Sequence, residues 1–243
     1  MMFVKVIHRI HLWAGLLLGI QVIIWMMSGV VMSWFHIDLV RGERSAFSAP
    51  APELEAKGYA SPGGVIAQMD GATTVSLRHF LGRPVYEAEA VSESALFDAS
   101  TGERISPIEE KTARAVAEAD YVGAGKIKRL RLMTDAPHEY RGKQPVWRAD
   151  FDDGLHTRLY ISPETGRVIS RRNDVWRIFD FFWSLHIMDY GDRTNINSTL
   201  LRAFAAAGLL FAFSGLIMVV MKKGRRQIVR DLQFITGQRR RSS

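Results

Sequence analysis

Two stretches without a single charged residue, 12–35 and 203–221, constrain this chain more than any other feature. They are 24 and 19 residues long. As helices rising about 1.5 Å per residue they span about 36 and 29 Å, against a hydrocarbon core of about 30 Å. The chain of 243 residues has 23% charged residues and a mean hydropathy of −0.02, and so looks soluble only on average. Its apolar content is gathered into two membrane-length segments, and the expected architecture is a two-span membrane protein.

Charge by position predicts orientation. Residues 222–243 carry eight Lys or Arg against the single acid Asp231, and the first eleven residues add Lys5 and Arg9. The ends together hold +9, which leaves −2 for everything between them. Basic segments beside a span stay cytoplasmic. Both termini are therefore expected inside and the central chain outside; the basic balance reports orientation in the lipid bilayer and not nucleic-acid binding. The first run is too long for the apolar core of a secretory signal, and the nearest small-residue site, Ala46-Phe47-Ser48-Ala49, is followed by Pro50, so it is read as uncleaved. The absence of cysteine excludes iron–sulfur clusters, thiolate metal sites, thiol nucleophiles, disulfides and c-type haem attachment.

The expected organisation is a cytoplasmic N-terminus over 1–11, a first span over 12–35, a linker over 36–59, two α+β units over 60–105 and 106–173, an aromatic interfacial helix with its connector over 174–198, a second span over 199–221 and a basic tail over 222–243. The two units rest on a repeat. Gly82-Arg-Pro-Val-Tyr-Glu-Ala and Ala95-Leu-Phe-Asp-Ala-Ser-Thr-Gly are echoed by Lys143-Gln-Pro-Val-Trp-Arg-Ala and Arg158-Leu-Tyr-Ile-Ser-Pro-Glu-Thr-Gly. Alternating apolar residues predict strands, and each Thr-Gly falls where a turn needs positive φ. Ser61-Pro62 starts one helix, and Ser106-Pro107-Ile108-Glu109 reads as a capping box opening another over 107–121. The spans carry a repeat of their own. Ile24-Trp-Met-Met-Ser28-Gly29 aligns with Leu210-Phe-Ala-Phe-Ser214-Gly215, and each has a histidine upstream, His11 and His186.

Four histidines sit at membrane boundaries: His8 and His11 at the start of the first span, His36 at its outer end, and His186 before the second span. Imidazole suits an interface, and it is also the protein ligand of b-type haem. His11, Gly15 and Gly19 share one helix face; glycines there admit either a partner helix or a flat porphyrin. Trp176, Phe179, Trp183, His186 and Tyr190 form a second stripe, either an interfacial aromatic face or a cofactor wall. His11 and His36 are about 37 Å apart along a continuous helix and cannot share an iron. A His–His haem would pair one histidine from two subunits, or His36 with His186; a symmetric homodimer supplies the first arrangement. Asp150, Asp152 and Asp153 cluster in one hairpin, and as hard oxygen donors could bind ferric iron. No hydrolase, P-loop or dinucleotide motif is present.

With Ile10-His11-Leu-Trp-Ala-Gly15-Leu-Leu-Leu-Gly19, Ser28-Gly29, the hairpins bearing Thr101-Gly102-Glu103 and Thr165-Gly166-Arg167, Leu185-His186 and Ser214-Gly215, the chain resembles the PepSY-associated transmembrane proteins, bacterial inner-membrane proteins that include haem-dependent ferric and ferric-siderophore reductases. The resemblance implies a periplasmic α+β domain of two PepSY-like units. It also implies haem b, with His11 and His186 as ligand candidates; His8 and His36, by their places at the membrane boundaries, and Gly15 and Gly19, by their helix face, are the further cofactor-binding candidates. Many relatives have four spans, so two spans point to a homodimer. The expected function is ferric reduction: electrons pass from a cytoplasmic donor, a reduced flavin or flavin reductase, to ferric iron or a ferric chelate outside. The rival expectations are a non-enzymatic accessory protein that binds a periplasmic partner, and a haem-handling protein without reductase activity.

Overall fold

The computed structural model describes residues 2–47, 53–54 and 58–217, and of residues 2–8 and 10 the backbone alone. The expected basic tail over 222–243 and the last turn of the second span lie outside the described residues. In chain order the elements are α1 (Met2–Trp34), α2 (Ile37–Val40), α3 (Pro62–Ile66), β1 (Ala72–Phe80), β2 (Arg83–Ala90), β3 (Ser94–Asp98), α4 (Glu110–Asp120), β4 (Ile127–Met133), β5 (Val146–Phe151), β6 (Arg158–Ile161), β7 (Val168–Arg172) and α5 (Asp174–Ile187). A last helix, α6 (Thr199–Ile217), follows. The contacts divide the chain into two units, one of residues 1–32 and 182–243 and the other of residues 33–181.

The first unit is built on α1 and α6, whose apolar parts His11–Trp34 and Thr199–Ile217 are long enough to cross a bilayer. Leu12, Leu16, Ile23, Met26, Leu210 and Leu216 each leave more than half of their surface uncovered. So much bare apolar surface is the mark of a lipid-facing helix. Helix is also what such a sequence must form in lipid, where backbone groups find partners only within the segment.

The second unit holds two antiparallel meanders, β1-β2-β3 and β4-β5-β6-β7. Their repeat is visible bond for bond. The Asp98 amide donates to the Glu103 carbonyl at 2.8 Å and Gly102 to Asp98 at 2.8 Å; Ser162 donates to Arg167 at 2.9 Å and Gly166 to Ser162 at 2.8 Å. Thr101 and Thr165 each accept the amide two residues on, at 3.2 and 3.3 Å. Gly102 and Gly166 take φ of 75° and 63°, the left-handed conformation that favours glycine.

The two meanders do not make separate cores. Phe80, Val85 and Leu96 of the first pack with Ala149, Phe151, Leu159 and Ile161 of the second around Ile108, Ala113, Val116 and Ala117, the apolar stripe leading into and along α4. Burying each such large side chain contributes about 1.5–3 kcal/mol. The other face of the first sheet closes on Val65 and Met69, at α3 and just beyond it. The second sheet keeps a smaller cluster, Tyr140, Val146 and Tyr160, on its far face.

One expectation needs correction. The capping box at Ser106 does not form. Its hydroxyl accepts the Leu96 amide at 3.0 Å, and α4 starts at Glu110 with Glu109 as N-cap. On α5 the aromatic stripe is only partly covered. The buried residues of that helix are Asp180, Ser184 and Ile187, with Asn173 just before it. Trp176, Phe179, Trp183 and His186 are half-buried, and Tyr190 lies beyond the helix end, exposed. Asn173 caps the helix, accepting the Trp176 amide at 2.7 Å, and Asp180 is held by Arg141 at 3.1 Å.

Candidate functional site

Within the first unit, each upstream histidine meets the aligned motif of the opposite span. The His11 imidazole stacks on the Phe211 ring, centroids 4.5 Å apart and planes at 21°. Gly15 makes room for that ring, since a Cβ there would lie 2.9 Å from it; around Gly19 nothing lies within 4 Å. At the other end His186 Nδ1 is 3.0 Å from the Ser28 hydroxyl, on a serine only 1% exposed. Ser28 donates back to the Trp25 carbonyl at 2.9 Å, and Ser214 donates to the Phe211 carbonyl at 2.7 Å. Trp25 and Phe211 hold the same place in the repeat, so the two crossings are reciprocal.

The crossings lie at different depths. Ser28 follows His11 by 17 residues on α1, about 25 Å along the axis. The structure therefore does not bring His11 and His186 of one chain to a common metal. His36 is the exposed, extended N-cap of α2, in the second unit. The backbone of His8 is helical, and its side chain lies outside the described residues.

The sequence reading missed two polar groups on the same helix. Gln21 Nε2 and Trp25 Nε1 are buried and have no hydrogen-bond partner among the described residues. Gln21 carries the only side-chain amide in the 12–35 run. An amide inside an apolar run is the signal that marks an inward-facing position.

The aspartate cluster is dispersed. Strand alternation puts Asp150 beside Arg148 on one face of β5 and across from Arg158 of β6, with contacts of 2.9 and 3.4 Å. Asp152 accepts the Lys126 amide, and Asp153 accepts Tyr121 Oη at 3.0 Å and the Thr157 amide at 2.7 Å. Among the described residues no three His, Cys, Asp or Glu side chains gather to hold a metal ion. The three aspartates expected to offer hard oxygen donors to ferric iron thus each face a structural partner of their own.

Two carboxylates organise the second unit instead. Glu139 accepts from Tyr160 Oη at 2.6 Å, Arg158 at 2.9 Å and Arg177 of α5 at 2.9 Å. Burial alone would raise its pKa, but these hydrogen bonds outweigh burial and hold the carboxyl below the ordinary glutamate range. Burial, then the hydrogen bond to Glu139, pushes the Tyr160 phenol up. Glu87, 3% exposed, lies between Arg78 and Arg167, the latter at 2.8 Å. Burial again opposes ionisation there, and the two guanidinium groups overcome it, lowering the pKa. Glu87 also lines a cleft of about 320 Å³ between the meanders, with Glu89, Tyr140, Lys143, Glu164 and Arg167.

Haem b is the group implied by the resemblance, and the residues fit it. The chain offers imidazoles and no thiolate, and His186 is tethered through Nδ1 alone. Among the described residues its Nε2 makes no hydrogen bond, so one ring nitrogen is left open, as holding haem iron would require.

Two apolar helices joined by an α+β unit define a membrane protein with a sizeable domain outside the lipid. A model of the family described as the PepSY-associated TM region matches residues 8–243, and the chain belongs to that family. No curated protein matches the chain, and no solved structure does.

Proposed function

We propose that this protein is an inner-membrane ferric reductase that carries haem b, with both termini cytoplasmic, the chain between the spans in the periplasm, and residues 60–105 and 106–173 as two PepSY-like units. The observation that carries the reading is the reciprocal crossing: two imidazoles, each packed on the aromatic-x-x-Ser motif of the opposite span, at two depths about 25 Å apart. His11 would hold the group near the cytoplasmic face and His186 nearer the outer face. When bound, haem supplies one-electron exchange between ferric and ferrous iron.

The chain's own contribution is placement. Phe211 braces the His11 ring, Ser28 braces His186, and the lipid-facing leucines and methionines keep water from both. Because His11 and His186 of one chain lie at different depths, the partner imidazole for each would come from a second copy in a homodimer. Reduced flavin or a flavin reductase donates on the cytoplasmic side, and ferric iron or a ferric chelate accepts outside.

The test is a redox cycle on the purified full-length protein. Reduced with dithionite and freed of excess reductant, it is expected to be reoxidised on adding a ferric chelate, with ferrous iron appearing in step. Bound haem that stays reduced under the chelate overturns the reductase reading and leaves a haem-handling protein. A folded protein without haem leaves the accessory role.

A further inference from the structure

We infer that Ser28 is a positioning residue for His186: it holds the imidazole as the tautomer protonated on Nδ1 and so presents the Nε2 lone pair. The hydrogen-bond assignment stands on geometry; its use in iron ligation rests on the haem reading above.

The argument is a count of hydrogens. A serine hydroxyl has one. That of Ser28 donates to the Trp25 carbonyl at 2.9 Å, so in its 3.0 Å contact with His186 Nδ1 the oxygen accepts. Nδ1 must then carry a hydrogen. In the competing arrangement the hydroxyl turns to donate to Nδ1, and the imidazole proton sits on Nε2. That arrangement keeps one hydrogen bond in place of two, since the Nε2 proton has no acceptor among the described residues, and each such bond contributes about 0.5–1.5 kcal/mol. The hydroxyl itself is shut away from water. Ser28 is 1% exposed and lies six residues before the end of α1, about 9 Å inside it. The Nδ1–H form matches both hydrogens and leaves only a lone pair unmatched.

The consequence is an asymmetry between the two histidines. The His11 ring is held by stacking on Phe211, which fixes its plane but selects neither nitrogen. His186 is fixed in tautomer as well as in place. A metal-bound histidine commonly donates its second N–H to a fixed acceptor, and removing such an acceptor typically lowers metal affinity about 10–100-fold. Ser28, 158 residues away in sequence, fills that place for His186.

The experiment uses the full-length protein in detergent, labelled with ¹⁵N-histidine; the tautomer is read on protein freed of haem, where no iron–Nε2 bond fixes the proton, and haem retention on the protein as purified. The His186 signals are assigned by their loss in His186→Gln. The expected result is a proton on Nδ1 in the wild type, a redistribution toward Nε2–H in Ser28→Ala, and haem lost about tenfold or more readily in that variant. Ser28→Thr, which keeps a hydroxyl, is expected to restore both. A proton on Nε2 in the wild type overturns the inference. So does a haem-bearing Ser28→Ala protein with unchanged tautomer and haem retention, an outcome that leaves the haem reading standing. A protein without haem whose His186 keeps its proton on Nδ1 overturns the haem reading and supports the role of the serine.

Discussion

Gly15 and Phe211 interlock: the glycine leaves the gap that the ring fills, and the ring in turn lies flat on His11. Gly19, one turn on, faces open space within 4 Å. The same substitution should therefore have opposite outcomes. Gly15→Ala must displace a stacked ring, and overpacking of this kind costs about 1–3 kcal/mol. Gly19→Ala meets nothing and gains up to about 1 kcal/mol of helix propensity. Thermal unfolding of both variants in the same detergent is expected to rank Gly15→Ala below wild type and Gly19→Ala at or above it.

The two Thr-Gly turns offer a matched comparison inside the second unit. Both glycines have positive φ, so alanine is strained at either. At Gly102 the added carbon would meet Ala60 Cβ at 3.4 Å, whereas at Gly166 it would run into the Phe80 ring. Gly102→Ala is expected to cost about 1 kcal/mol, within the usual range for such strain, and Gly166→Ala more, because overpacking adds to it. Denaturant unfolding followed by tryptophan fluorescence ranks the two, and equal losses would contradict the packing account.

Acid should weaken this unit. Glu87 and Glu139 both have pKa values lowered below the ordinary 4.5. A lowered carboxylate contributes stability that is full above its unfolded value and is lost as pH falls through its folded one. The thermal midpoint is thus expected to hold from neutral pH down to about 4.5 and to fall below it. Glu87→Gln should remove part of that acid dependence while lowering stability at neutral pH by about 3–5 kcal/mol, because it leaves two guanidinium groups around a neutral amide.

Tyr160 and Glu139 test how α5 is anchored to the sheet. Tyr160→Phe removes one hydrogen bond to a buried carboxylate, a loss of about 1.5–3 kcal/mol. Glu139→Gln also weakens the hold on Arg177, the α5 side chain in the cluster. Hydrogen exchange at the α5 amides of residues 178–181 is expected to quicken more in Glu139→Gln than in Tyr160→Phe. An unchanged exchange rate in both would mean that Asn173 and Asp180 hold the helix without this cluster.

The local parts of this fold were legible in the sequence. Thr-Gly at matching places predicted two turns of one geometry, and the helix expected over 107–121 forms as α4, with Ala113, Val116 and Ala117 buried. The failures came where distant residues set the outcome. Ser106 carried a sound local capping signal, yet the amide of Leu96 takes its hydroxyl. The covered residues of α5 include Asp180 and Ser184, which apolar periodicity does not mark; Arg141 lies opposite Asp180. Asp150, Asp152 and Asp153 are neighbours in sequence, but a pleated strand and a turn point them at different partners. For the candidate site the histidines and Ser28 were all visible in the sequence. Their crossed pairing was not, because it depends on how α1 and α6 pack within their unit.

The most direct test of the central claim is the haem content of the intact protein, purified without added haem, measured by alkaline pyridine haemochrome against protein concentration. The account predicts b-type haem in stoichiometric amount and a sharp α-band on reduction, with His11→Ala and His186→Ala each losing part of the pigment. Monodisperse, folded protein that contains no haem would contradict it.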